Sequence, residues 1–163
     1  MTSEDFIIRE IKPEDNKAIA KVIRNVIEEM GAPKIGTAYE DRATDFMFEQ
    51  YQKQKSIYYV VTYHDNVVGG AGVAQLDSFN GATCELQKMY FLPLARGKGL
   101  GSTLIDQCLD KAKEFGFNNC YLETLPYMKA AVKLYKRNNF KHLEKPLGNT
   151  SHYNCTLWML RDI

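Results

Sequence analysis

The chain has 163 residues, of which 45% are hydrophobic, and 21 Lys and Arg stand against 20 Asp and Glu for a formal net charge of +1. That length suits one domain over 1–163, and the apolar share is enough for a sizeable core and too high for a disordered chain. A charge so near zero excludes a global field that would gather nucleic acid or an anionic membrane, so any anion recognition must be local.

FIIREI at 6–11 reads as a short first strand. Pro13, Glu14 and Asp15 then mark a helix start, where proline fits the first turn and acids suit the positive end of the helix dipole. Ile19, Val22, Ile23, Val26, Ile27 and Met30 keep a helical stripe that Gly31 ends. After a loop at 31–39, DRATDFMFEQYQ predicts a second helix. IYYVVTY at 57–63 is a β-branched and aromatic strand, turned at His64, Asp65 and Asn66 into a hairpin partner at 67–76. Asn80-Gly81 makes another turn before the strand at 83–92, which Pro93 closes. Leu100, Leu104, Ile105, Cys108, Leu109, Ala112 and Phe115 line a strong helix capped by Gly116. A strand at 119–125, a helix at 129–138 and strands at 140–144 and 151–160 finish the chain. Hairpins followed by strand–helix–strand crossovers mean an α/β protein: a mixed sheet with helices packed on its faces.

Cys84, Cys108, Cys120 and Cys155 are widely spaced and form no CxxC, which suits a reduced, cytoplasmic protein better than a disulfide framework. The N-terminus is acidic without a long apolar segment, so neither a signal peptide nor a membrane span is expected. His64 and His142 have no metal-like partner at useful spacing, and no metal site is expected.

RGKGLG at 96–101 collects three glycines and two cations where a strand hands over to a helix. It lacks the GxxxxGK[ST] order of a Walker A loop. It also lacks the third glycine and the following acid of a dinucleotide fingerprint. A plain turn would need only one glycine. An anion cradle explains more: unpaired N–H groups at a helix start, glycines that admit a phosphate, charge from Arg96 and Lys98, and hydroxyls from Ser102 and Thr103.

The pattern Q/R-x-x-G-x-G/A, carried here by Arg96, Gly99 and Gly101, resembles the acetyl-CoA pyrophosphate loop of the GCN5-related N-acetyltransferases (GNAT superfamily). ELQKMYFLPLARGKGLGSTLIDQCLDKAKEFG is similar to that family's central block and AAVKLYKRNNF to its LYxxxGF block. The element order along nearly the whole chain is similar too. The resemblance implies a single domain with a predominantly antiparallel mixed sheet of about seven strands, in the order βααβββαβαββ, with helices on both faces. It implies an enzyme moving an acetyl group from acetyl-CoA to an amine, with no metal.

In such an enzyme the ammonium must lose a proton, the thioester oxygen needs a hydrogen bond and the leaving thiolate gains from a proton donor. The resemblance puts the thioester in a wedge between CELQKMYF and NCYLETL. It gives the pantetheine arm and acyl oxygen to the backbone of Met89, Tyr90 and Phe91, and the diphosphate to Arg96, Gly97, Lys98, Gly99, Leu100, Gly101 and Ser102. Tyr135 falls on the tyrosine that serves as general acid, the alternative being a packed helix ring. Glu85 falls where several members keep a base acting through water, the alternative being a salt-bridged strand acid. Glu123 would meet the substrate ammonium or sit in a buried ion pair, and His152 stays a further candidate base. Two positions depart from the pattern: Met128 replaces a common asparagine, and Asn139 replaces the glycine of LYxxxGF, where asparagine still tolerates a left-handed turn.

The acceptor side would be built from GAPKIGTAY, Glu123, Tyr127 and the 146–153 loop. A small-molecule amine is the expected acceptor, with a protein or peptide amine as the alternative. A non-catalytic acyl-CoA-binding sensor is the competing class, although it would need neither Tyr135 nor Glu85. No nucleic-acid or membrane partner is expected, and a homodimer stays open.

Overall fold

The structure is a computed structural model that describes residues 5–163. Strand β1 (Phe6–Glu10) leads through a 3-10 turn at Pro13–Asp15 into α1 (Asn16–Glu29). A second 3-10 turn, Arg42–Phe46, runs into the one-turn helix α2 (Met47–Gln50). Then come β2 (Ile57–Tyr63), β3 (Asn66–Gln75), β4 (Thr83–Phe91), a 3-10 turn at Pro93–Ala95 and α3 (Leu100–Glu114). The chain ends with β5 (Asn119–Thr124), α4 (Lys129–Arg137), β6 (Lys141–Leu143) and β7 (Leu157–Asp162).

The strands form one sheet in the order β1-β2-β3-β4-β5-β7-β6. Every pairing is antiparallel except β4 with β5. Helices cover both faces, so β2 is buried as a continuous apolar run instead of alternating with polar residues. Its Tyr58 and Val60 pack with the α1 stripe of Ile19, Ile23 and Val26. Its Tyr59 and Val61 belong to the opposite core with Leu104, Ile105 and Cys108 of α3 and Tyr135 of α4.

The expected helix over 41–52 is broken. Asp41 accepts from the Ala43 N–H and Thr44 Oγ1 donates to the Ala38 carbonyl, which holds the segment in a 3-10 turn before α2. The last strand begins at Leu157 and not at 151. Ser151 has φ 66, and the Cys155 N–H donates to the His152 carbonyl, so 151–156 is a looped segment. Asn139 does take the left-handed conformation, with φ 67, and the Phe140 N–H closes onto the Tyr135 carbonyl.

Two features of β4 position the site. The first is a bulge: Gly70 faces Tyr90 and Gly72 faces Gln87, so Lys88 and Met89 together oppose Ala71. Lys88 adopts φ 48 there, and the Tyr58 hydroxyl donates to its carbonyl at 2.7 Å. The second is a split. β4 pairs with β5 only from Thr83 to Glu85, against Asn119 to Tyr121, although both strands continue. Glu85 is therefore the last residue of β4 paired with β5, at the apex of a wedge.

Candidate active site

Two cavities meet at this wedge, and Tyr90 lines both. The bulge sorts its residues between them: Lys88 lines one cavity and Met89 the other.

The first cavity, of about 450 Å³, runs between β4, the start of α3 and α4. Met89, Phe91, Arg96, Gly97, Gly99 and Tyr135 are among its lining residues. The first helical bond on this side runs from the Thr103 N–H to the Gly99 carbonyl, at 3.2 Å. The N–H groups of Leu100, Gly101 and Ser102 therefore lie in the first turn, where no intrahelical acceptor exists for them. Gly97 and Gly99 have φ 71 and 76, and a Cβ on either would meet no atom within 4 Å. Glycine is needed at these positions for backbone conformation and not for clearance from neighbouring protein atoms. Gly101 is different: a Cβ there would lie 2.7 Å from Leu134 Cδ2, so glycine lets α3 start close against α4.

The cations of the loop divide. Arg96 donates through Nε to the Phe91 carbonyl at 3.0 Å and forms a two-pronged pair with Glu29 at 2.8 Å. Its charge is thus committed to tying the end of β4 to α1. Lys98 is half-exposed and is not among the residues lining the cavity. Further cations on its wall are Lys129, Lys133 and Arg137 of α4. Tyr127, expected on the acceptor side, is half-exposed and lines this cavity instead. The turn after β5 carries it toward α4. Met128, the residue before α4, is here as well.

Tyr135 is buried, with its ring edge-on to Phe140 at 6.1 Å. Burial pushes its phenol well above the ordinary value, which keeps the proton on oxygen. Its hydroxyl has no hydrogen-bond partner among the described residues.

The second cavity, of about 380 Å³, is polar and opens on the other side of β4. Glu85 is buried on its wall and accepts one hydrogen bond, from Gln87 Nε2 at 2.7 Å. Gln87 is oriented in turn by the Tyr51 hydroxyl, 2.5 Å from its Oε1. Burial pushes the Glu85 carboxyl up to about 7; the Glu123 carboxylate adds to the rise and the Gln87 bond opposes it. Glu123 is anchored by the Tyr121 hydroxyl at 2.6 Å and by the Thr150 hydroxyl. It forms no ion pair among the described residues.

Asp41, Lys88 and His152 also converge here. Lys88 Nζ is 3.7 Å and His152 Nε2 3.6 Å from Asp41 Oδ2. Asp41 is held down to about 2, chiefly by the imidazole beside it, with Lys88 and the Ala43 N–H adding and burial opposing. Cys155 lines the same wall, and burial pushes its thiol up to about 12.

Glu85 and Tyr135 thus flank the wedge from the two cavities, with Tyr90 between. Sequence reasoning placed Thr150 in the expected 146–153 acceptor loop but missed Gln87, Lys88, Asp41 and Cys155. Nothing local marked a residue such as Asp41 as part of a site.

A family model described as "Acetyltransferase (GNAT) family" matches residues 24–140. The chain belongs to the acetyltransferase (GNAT) family. It is 43% identical over 159 residues to "Uncharacterized N-acetyltransferase YjgM" of Escherichia coli K12, covering 96% of this chain and 95% of that one. Membership places it among the enzymes of N-acetyl transfer. The fold is similar to that of a GNAT-family acetyltransferase from Staphylococcus aureus Mu50, with TM-score 0.80 at 18% identity over 96% of this chain and 98% of that one. It is also similar to yncA, described as a putative acetyltransferase from Salmonella typhimurium with its cofactor acetyl-CoA. There the TM-score is 0.75 at 20% identity, over 97% of this chain and 94% of that one.

Gly97, Gly99 to Ser102 and Tyr135 line the first cavity. Gly99→Val tests whether the turn takes part in binding acetyl-CoA. Forcing a β-branched residue to φ 76 costs roughly 1–2 kcal/mol or more, so the loop must reshape. Calorimetry should show acetyl-CoA binding weakened by about tenfold or more, and unchanged affinity would remove the loop from the diphosphate site.

Proposed function

We propose that residues 1–163 act as one acetyltransferase domain that moves an acetyl group from acetyl-CoA to the primary amine of a small molecule by direct attack. The observation that carries this reading is the meeting of two cavities at Tyr90, with a raised carboxyl on one side and a buried, partnerless phenol on the other. The cavity along the Gly97–Ser102 turn would take acetyl-CoA, with Met89, Tyr90 and Phe91 offering backbone groups to its arm and acyl oxygen. Glu85 holds the ammonium proton, received through water, and so frees the nitrogen lone pair. The nitrogen bonds to the acyl carbon, the carbon–sulfur bond breaks and Tyr135 gives its proton to the departing sulfur. The second nitrogen proton restores the phenol, so one proton is released per turnover.

The modest volume of the acceptor cavity, about 380 Å³, supports a small acceptor. The Asn154 N–H donates to the Gly36 carbonyl at 3.3 Å, and its side-chain amide to the Ile35 carbonyl at 2.5 Å. These bonds join the 33–41 segment to the 148–155 segment, and both contribute lining residues. Coenzyme A release from acetyl-CoA, measured across a panel of amines, tests the reading. Release above hydrolysis is expected with at least one small amine. Release with none of them, or only with folded proteins, would overturn it.

A further inference from the structure

The acceptor cavity carries groups of both signs. Glu85 and Glu123 stand at the wedge, where the amine must arrive. Lys88 and His152 reach the same cavity from the bulge and from the 148–155 segment. Lys53 and Asp77 are exposed at its edge, and Glu40 is already bonded to the Gly36 N–H at 2.7 Å.

Lys88 is the unusual member. Its side chain is only 11% exposed, yet its one ion pair, with Asp41, is 3.7 Å long. His152 meets the same Asp41 oxygen at 3.6 Å. Both separations exceed a hydrogen bond, so the ammonium protons and the imidazole edge keep donor capacity that Asp41 does not fill. Asp41 itself spends Oδ1 on the Ala43 N–H. The ammonium is held there by a left-handed, non-glycine residue, a conformation that persists only where surrounding structure fixes it. Tyr58 supplies that fixing through the Lys88 carbonyl. Backbone strain is thus used to bring a cation into a polar cavity beside two carboxylates.

Resting on the acetyl-transfer reading above, we infer that the acceptor is a compact zwitterion, an α-amino acid or a close analogue, with its carboxylate on Lys88 and His152 and its ammonium toward Glu85 and Glu123. A carboxylate bridging Lys88 and His152 would complete their donor sets with charge-assisted bonds. Asp41 holds the Lys88 ammonium and the His152 imidazole near each other without saturating either. The cavity volume of about 380 Å³ suits such a molecule, lying near the small end of the roughly 300–1,000 Å³ span of small-molecule sites.

The test compares each standard amino acid with its own carboxamide and with tripeptide amides, by acetyl-CoA-dependent thiol release. The amide keeps the amine and loses only the negative charge. Its less basic amine also holds more free base at neutral pH, so chemistry alone would favour it. The expected result is a kcat/KM at least about tenfold higher for the acid form of the preferred substrate. Lys88→Met should bring the acid-to-amide ratio toward one, and His152→Gln should lower it part of the way. Amides or tripeptide amides turned over as fast as the acids would overturn the zwitterion while leaving acetyl transfer to an amine in place. No release with any member of this panel would overturn the zwitterion, and the wider amine panel would then decide acetyl transfer separately. The wild-type comparison decides the question even if Lys88→Met fails to fold.

Discussion

Glu85→Gln should lower kcat/KM for the acceptor by about 10²-fold or more at pH 8, with little change in acetyl-CoA affinity. A positioned general base contributes roughly 10²–10⁴, and the amide that replaces it cannot take a proton. The size matches as well, so the introduced amide would still accept from Gln87 Nε2 and the wedge would keep its shape. The same variant should be the more stable protein at high pH. In the folded chain the Glu85 carboxyl is raised from its ordinary 4.5 to about 7, because burial penalises the charged form. Its contribution to stability is therefore full below about 4.5 and lost as pH rises through about 7. Above that, the buried charge costs up to about 3 kcal/mol, a penalty that a neutral amide does not carry. Urea denaturation at pH 5 and pH 8 would show it: the variant should gain on the wild type only at pH 8. An undiminished rate would give the proton to Glu123, His152 or solvent. A stability difference independent of pH would mean that Glu85 is not a raised acid.

Tyr135→Phe should lower kcat by about 10²-fold while leaving KM for acetyl-CoA within a few-fold, since only proton donation to the leaving sulfur is removed. The ring contact with Phe140 survives, and the lost hydroxyl had no partner among the described residues, so stability should hardly move. A KM effect without a kcat effect would mean that Tyr135 shapes the groove and donates nothing. These two substitutions act on opposite sides of the wedge, which lets their effects be read separately.

Tyr135 and Glu85 enter the reading through the family resemblance, Tyr135 by its place in the LYKRNNF block and Glu85 by lying eleven residues before Arg96. Asn139 was legible from local chemistry, since few residues tolerate a left-handed helix end. What stayed hidden depends on contacts between distant parts of the chain. Nothing local announces that Arg96 pairs with Glu29, 67 residues earlier. Nor does the sequence show that a Cβ on Gly101 would lie 2.7 Å from Leu134. The 151–156 segment reads as the start of the last strand. It loops because Gly148 and Ser151 take left-handed turns and Asn154 binds the 35–36 backbone. That loop brings Cys155 to the site beside His152, a contribution the strand reading had left out.

Cys155 also sets the sharpest test of direct attack. Its thiol lines the acceptor cavity close enough to feel both Glu85 and Glu123, and an acyl-cysteine route would use it as a relay. Burial raises that thiol to about 12, which leaves little thiolate at neutral pH. With the proposed acceptor and acetyl-CoA cavities meeting at Tyr90, no relay is needed to bring amine and thioester together. The measurement is the initial rate of coenzyme A release with acetyl-CoA and acceptor concentrations varied against each other. Direct transfer in a ternary complex predicts double-reciprocal lines that intersect; parallel lines would contradict it.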